Sequence, residues 1–233
     1  MARLKTDFVD TAFTIIKKKI ENFDFPPGKV ISDLELSREL DMSRTPIREA
    51  ILQLINSGLL TRSEHKVVVT NLTINDAIEM IQVREAIEGA SLKLIIKNNL
   101  LTESRKDELL DIHHQLVHSI HNYDFNQNYT LDSVFHHKIV TFSGNTRLAQ
   151  IFELVDVQSQ RLRWISSLTP ERYVETIREH EAILRALTSN NIPSALASLE
   201  EHFSNTLDNY QFVLEQDKIN KMIHALDSLS SKS

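Results

Sequence analysis

Asp132 and His136 stand four residues apart, and His180 and His202 stand eleven residues to either side of Asn191. Each belongs to a stripe that is otherwise largely apolar at helical spacing. The first stripe is Asp132, Phe135, His136, Ile139 and Phe142, and the second is Tyr173, Ile177, His180, Leu184 and Leu187. The third is Leu199, His202, Phe203, Thr206 and Tyr210. Residues four apart on a helix share a face at ~5–6 Å, and a helical hairpin folded at Asn191 sets the two later rings at one height. Three imidazoles and a carboxylate converging in a helical core suit a divalent transition metal, Zn, Ni, Mn or Fe, better than Ca or Mg. The alternative is a structural core in which each histidine bonds to a neighbour and Asp132 pairs with His136. Burying four such groups without a shared partner is expensive, which weighs toward the metal. His114, His118 and His121 fall mainly on the polar side of their helix, His137 points off the stripe, and His224 lies near a Ser-rich end expected to fray.

A second constellation is Ser43-Arg44-Thr45-Pro46-Ile47-Arg48-Glu49-Ala50. Ser43 reads as an N-cap, and Pro46 is tolerable because it falls in the first helical turn. Arg44 and Arg48 project from one face of the helix start, while Ile47, Ile51 and Leu54 turn to a core. A recognition helix enters the major groove by its N-terminal residues, where two arginines reach guanine edges or phosphates. The Ser43 and Thr45 hydroxyls can add phosphate contacts. Taken alone, the pair reads more readily as solvated arginines on a capped helix; what surrounds it matters.

The surrounding pattern is a sequence of parts. An amphipathic helix over residues 7–22, with Phe8, Ala12, Ile15, Ile16 and Ile20 on one face, stops at Phe25-Pro26-Pro27-Gly28. A short helix follows Ser32, with Glu35 as capping-box partner. Asp41-Met42-Ser43 turns into the arginine-bearing helix, which ends at Gly58. Residues 59–62 and 66–70 read as a hairpin around Ser63-Glu64-His65. Beyond Asn71 every segment reads as helix: to about Asn98, then from Thr102, about 126–142, 147–166 with Ile151 turned inward, from Thr169-Pro170 to Ser189, and from Pro193 to at least Leu214, with a last piece over 217–226. The expected fold is mostly α: a winged helix-turn-helix of three helices and a small β-hairpin over 1–72, then an all-α antiparallel bundle over 73–233.

Composition bounds the function. The chain has no cysteine, only four glycines and five prolines, and no apolar run near the ~18–20 residues that span a bilayer. A cytoplasmic protein without a membrane partner is expected. The net charge of −6 divides unevenly: residues 1–70 carry 11 Lys/Arg against 10 Asp/Glu, and the remainder 15 against 22. Placement of particular arginines, not bulk charge, therefore decides whether nucleic acid is a partner.

Residues 6–70 resemble the DNA-binding domain of the GntR family. The pattern is Pro27-Gly28, Leu36-Ser37, Leu40, the octet from Ser43 to Ala50, Leu54 and Gly58-Leu59. The resemblance implies that Arg44 and Arg48 contact operator DNA and that a wing, with His65 and Lys66 near its tip, reaches the minor groove. Leu34 stands where that family often has a polar or basic residue, the wing tip lacks the usual glycine, and Asp41 replaces a turn glycine. The later residues are similar to the FCD effector domain of the FadR subgroup. They carry Arg84 and Glu88, Asp132-x-x-Phe135-His136-x-x-Ile139, Ser143-Gly144-Asn145, Glu179-His180-x-x-Ile183 and His202. This implies a metal on Asp132, His136, His180 and His202, with a small carboxylate effector completing its coordination. Arg84 and Arg163 are candidates to grip that carboxylate; Arg84 alternatively pairs with Glu88. The expected protein is a ligand-responsive regulator, usually a repressor, binding double-stranded operator DNA as a homodimer. A metal-dependent hydrolase using the Asp/His cluster is the rival, although no separate general base stands on the stripes.

Overall fold

The computed structural model describes residues 2–122, 124–166 and 169–215. The chain divides into two compact units between Thr73 and Ile74. In the first, α1 (Ala2–Glu21), α2 (Asp33–Glu39) and α3 (Arg44–Asn56) accompany the strands β1 (Val30–Ile31), β2 (Leu60–Ser63) and β3 (Lys66–Val69). The strands form an antiparallel sheet in the order β1-β3-β2. Val9, Ala12, Ile16 and Ile20 of α1 are buried, and α1 packs on α3, whose Ile47, Ala50, Ile51 and Leu54 turn inward. The buried stripe of α1 is the expected one at Ala12, Ile16 and Ile20 and differs at its first position. Phe8 is exposed and Val9 takes the inward place.

Gly58 (φ +78) closes α3 with both bonds of a Schellman end. Its N–H donates to Ile55 O, and that of Leu59 to Leu54 O. β1 was not legible as a strand, since two residues carry no alternation. It exists because Gly28 N–H donates to Val69 O and Val69 N–H to Lys29 O, which ties the Pro-Pro-Gly breaker to the wing. Glu64 absorbs the missing wing glycine by adopting φ +53, and Asp41 at φ +49 supplies the left-handed turn before α3.

The second unit is helical among the described residues: α4 (Ile74–Lys97), α5 (Glu103–His121), α6 (Phe125–Phe142), α7 (Thr146–Ser166), α8 (Pro170–Thr188) and α9 (Ile192–Glu215). Asn190 at φ +54 turns the chain between α8 and α9, and Asn191 Oδ1 accepts from Ser194 N–H to start α9. The two helices fold back on each other; α4 packs on α6, α7 and α9, and α5 on α6 and α8. Ile151 is exposed on α7 rather than inward, and Phe152 alone of that pair joins Ile87 and Val140 in the core. The expected helix over 217–226 lies outside the described residues. Among the described residues no helix is long and apolar enough to cross a membrane.

Helix starts separate into two kinds. Ser32, Thr102 and Asp124 accept from the N–H three residues on, at Glu35, Arg105 and Gln127. Ser43 and Thr169 occupy cap positions without a side-chain cap bond. Three residues after Ser43 stands Pro46, which has no N–H to give. Three after Thr169, the N–H of Arg172 is already bonded to Thr169 O. Thr102→Ala is therefore expected to destabilise the helical unit by about 1 kcal/mol. Thr169→Ala should change it by less than about 0.5 kcal/mol. Urea denaturation followed on the second unit checks the contrast, and equal midpoints would contradict it.

Candidate functional site

Neighbouring helices bring the four metal-ligand candidates of the second unit together. His136 on α6, His180 on α8 and His202 on α9 are buried, and one nitrogen from each ring lies within 4.8 Å of those from the other two. Asp132, one turn before His136, places Oδ1 3.4 Å from His180 Nε2 and 3.8 Å from His136 Nε2. Phe135 stacks on His180 with centroids 4.1 Å apart, fixing that ring's plane.

Two carboxylates set how the rings face. Glu88 Oε2 lies 2.5 Å from His136 Nδ1, and Glu179 Oε2 lies 2.7 Å from His202 Nδ1. A carboxylate accepts, so Nδ1 carries the proton in each ring and Nε2 keeps its lone pair. His136 Nε2 and both nitrogens of His180 are buried without a hydrogen-bond partner. Such atoms are costly to leave unpaired, and a transition metal is the partner that several converging imidazole lone pairs accept. The donor set fits that group. The expected structural alternative, Asp132 paired to His136, is not what forms: His136 bonds Glu88, and Asp132 Oδ2 accepts from Arg163 Nε at 2.9 Å. The core-histidine pattern does appear at buried His113, whose Nε2 faces Ile177 O at 3.3 Å. His137 lies off the cluster, against Glu153.

Beside the histidines lies a cavity with about 40 Å³ of space for water-sized occupants. At ~10–15 Å³ per water, it takes a small anion rather than a long chain. Arg84 and Arg163 both line it, together with Arg172, Asp132, His202 and Tyr210. Arg84 Nε donates to Glu88 at 3.0 Å, so the structural pairing forms, yet its Nη2 is buried and unpartnered. Arg163 bonds Asp132 and Asp156 and likewise leaves Nη2 unpartnered. Arg172 was not singled out from sequence. It grips Glu179 through both terminal nitrogens at 2.8 and 2.7 Å, reaches Thr206 Oγ1 at 2.9 Å, and leaves Nε unpartnered. Its seven-residue spacing from Glu179, two helical turns, was the available signal.

The charges respond to this burial. Desolvation pushes the imidazoles of His136 and His180 well below their ordinary value, helped by Arg84 at His136 and by His202 at His180. Burial also raises the Glu88 carboxyl, against the pull of Arg84. At Asp132 burial acts upward, but His136, His180 and Arg163 outweigh it and hold the carboxyl well below the carboxylate range. With the imidazoles neutral, Arg163 is the lasting part of that pull. At Glu179 burial is overcome by hydrogen bonds from His202 and Arg172, which bring it down to about 2.

In the first unit, Ser43, Arg44, Thr45 and Arg48 are all exposed at the start of α3, and His65 and Lys66 are exposed at the wing tip. Arg48, His65 and Lys66 line one groove with Asp33 and Arg62. Arg62, on β2, and Asp33, at the start of α2, were not anticipated. Asp33 accepts from Arg44 Nη2 at 2.8 and 2.9 Å and from Arg48 Nε at 2.5 Å. The Arg48 bond, with Arg44, holds the Asp33 carboxyl below its ordinary value against slight burial.

Comparison with known proteins agrees with this layout. Residues 8–69 match the family described as bacterial regulatory proteins, gntR family, and residues 79–205 match the FCD domain. The chain is 31% identical over 211 residues to the HTH-type transcriptional regulator YdhC of Bacillus subtilis, covering 88% of this chain and 92% of that protein. It is 23% identical to the HTH-type transcriptional repressor RspR of Escherichia coli, covering 88% and 90%. The solved structure of E. coli McbR/YncC superposes with a TM-score of 0.74 at 21% identity, covering 90% of this chain and 98% of that one.

Neutral buried histidines make stability depend on pH. Unfolded histidine takes up a proton near pH 6.5, while folded His136 and His180 stay neutral well below it. The stability they allow is present above about pH 6.5 and is lost as pH falls through the window beneath. In chelator-treated protein these two should contribute a slope by which stability declines as pH falls below about 6.5. His180→Leu should flatten it by about half. An unchanged slope in that variant, measured by denaturant unfolding, would count against the neutral assignment.

Proposed function

Because this chain belongs to the gntR family of bacterial regulatory proteins and carries an FCD domain, we propose that it is a metal-dependent repressor released or engaged by a small carboxylate. That it is a transcriptional regulator, not an enzyme, follows from the family and its relatives. The finer reading assigns residues 1–72 to operator DNA and 73–233 to sensing. Asp132, His136, His180 and His202 hold a divalent transition metal, Zn, Ni, Mn or Fe. When bound, such an ion supplies a Lewis-acidic anchor for an effector carboxylate. Arg84 and Arg163 present unpartnered Nη2 atoms to the cavity and orient the effector through them, with Arg172 beside them. The observation that carries the reading is the set of buried, unpartnered nitrogens on His136 and His180.

On the DNA side, Arg44 and Arg48 reach base edges or phosphates in the major groove, Ser43 and Thr45 add phosphate contacts, and His65 and Lys66 approach the minor groove. A homodimer sets two such helices in successive major grooves of a palindrome. The repressor role is supported by the similarity to RspR, itself named a repressor. Action in the cytoplasm goes with a bacterial DNA-binding family. The effector acts allosterically by preferring one of two dispositions of the DNA-reading helices.

Protein purified without chelators is expected to carry about one divalent transition metal ion per chain by elemental analysis, and His180→Ala should lose it. A panel of small carboxylates should raise the thermal midpoint of the metal-loaded protein and leave the chelated protein unmoved. Metal-free wild type whose melting is indifferent to added Zn or Ni would sink the sensing half. Arg48→Ala should weaken binding to a duplex selected from a random pool by roughly 10- to 100-fold, and wild-type affinity in that variant would sink the DNA half.

A further inference from the structure

We propose that Asp33 determines sequence selectivity by clamping Arg44 and Arg48 to one carboxylate, so that the helix tip reads bases instead of gripping any phosphate. The inference rests on the reading of α3 as the DNA-reading helix and adds a residue that contacts no base itself. Asp33 sits at the first position of α2, behind the tip of α3, and its side chain is 21% exposed. The side chains of Arg44 and Arg48 in front of it are 47% and 59% exposed. A duplex approaching this face therefore meets the guanidiniums before the carboxylate.

The bonding pattern decides what they offer. Arg48 is held through Nε, which leaves the fork of its two terminal nitrogens outside the clamp. That fork is the part that matches the O6 and N7 acceptors of guanine. Arg44 spends one terminal nitrogen on both oxygens of Asp33 and is likewise fixed in direction. Holding a long side chain in place before binding removes the cost of ordering it on the duplex. The same carboxylate lowers the local positive charge, and with it the sequence-independent attraction to phosphates. A segment that carries 11 basic and 10 acidic residues over positions 1–70 is already poor in such attraction. Leu34, the next residue, is exposed and apolar, so it offers no compensating charge.

The test uses the full chain and two probes: a duplex selected by wild type from a randomised pool, and a scrambled duplex of the same composition. Fluorescence anisotropy across salt concentrations measures both affinities for wild type, Asp33→Asn, Asp33→Ser, Asp33→Glu, Arg44→Ala and Arg48→Ala. Asp33→Asn is expected to bind the scrambled duplex several-fold more tightly, with a log–log salt slope steeper by about one. Its ratio of selected to scrambled affinity should fall about tenfold or more, and Asp33→Glu should restore much of it. Asp33→Ser serves where the asparagine variant does not fold by circular dichroism. A folded Asn or Ser variant that keeps the ratio within twofold of wild type overturns the proposal, as does an equal weakening on both duplexes. If Arg44→Ala and Arg48→Ala leave the selected duplex untouched, it is the reading of α3 that fails, and the role of Asp33 with it.

Discussion

Glu88 and Glu179 each take up the Nδ1 side of a histidine, and the chemistry of the helical unit follows from those two bonds. With Nδ1 occupied, His136 and His202 can offer only Nε2, and each ring is fixed in one tautomer and one orientation. Both carboxylates are also held by arginines, Glu88 by Arg84 and Glu179 by Arg172. The same two arginines line the cavity. Anything that draws on either guanidinium therefore reaches a histidine through one shared carboxylate.

Such a core is a poor way to stabilise a fold. Arg84, Arg163, Arg172, Glu88 and Glu179 are all buried, and taking ions out of water costs several kcal/mol each before pairing returns part of it. An apolar core of equal volume commonly does as well or better. The helices meet that cost with large buried side chains, among them Phe135, Phe152, Phe203 and Leu92. Phe135 and Phe203 do double duty, stacking on His180 and His136 respectively. The polar centre is thus held by ordinary packing around it, and its own pairing sets direction more than stability.

Much of this arrangement could be read from residue spacing. Asp132 and His136 fall on one face because they are four apart, and the symmetry of His180 and His202 about Asn191 becomes real through the α8–α9 turn. Much of what escaped the sequence lacked a local period. Asp33 meets its arginines 11 and 15 residues away, across a turn, so no helical pattern announces it. Arg172 looked like a surface residue because arginine usually is one. β1 is too short to alternate, and Phe8 and Ile151 read as inward because they are apolar, yet both are exposed. Local chemistry was legible; pairing between distant segments was not.

Pro46 has a consequence that reaches past helix geometry. By deleting the amide that would have engaged the Ser43 hydroxyl, it leaves that oxygen outside the capping ladder at the leading edge of α3. A docking surface built from backbone amides and one short hydroxyl gives up almost no torsional freedom when it is occupied. It also treats every base sequence alike. In the proposed reading of α3, anchoring and discrimination thus fall to different atoms within a single helical turn, and each can change over evolutionary time without disturbing the other.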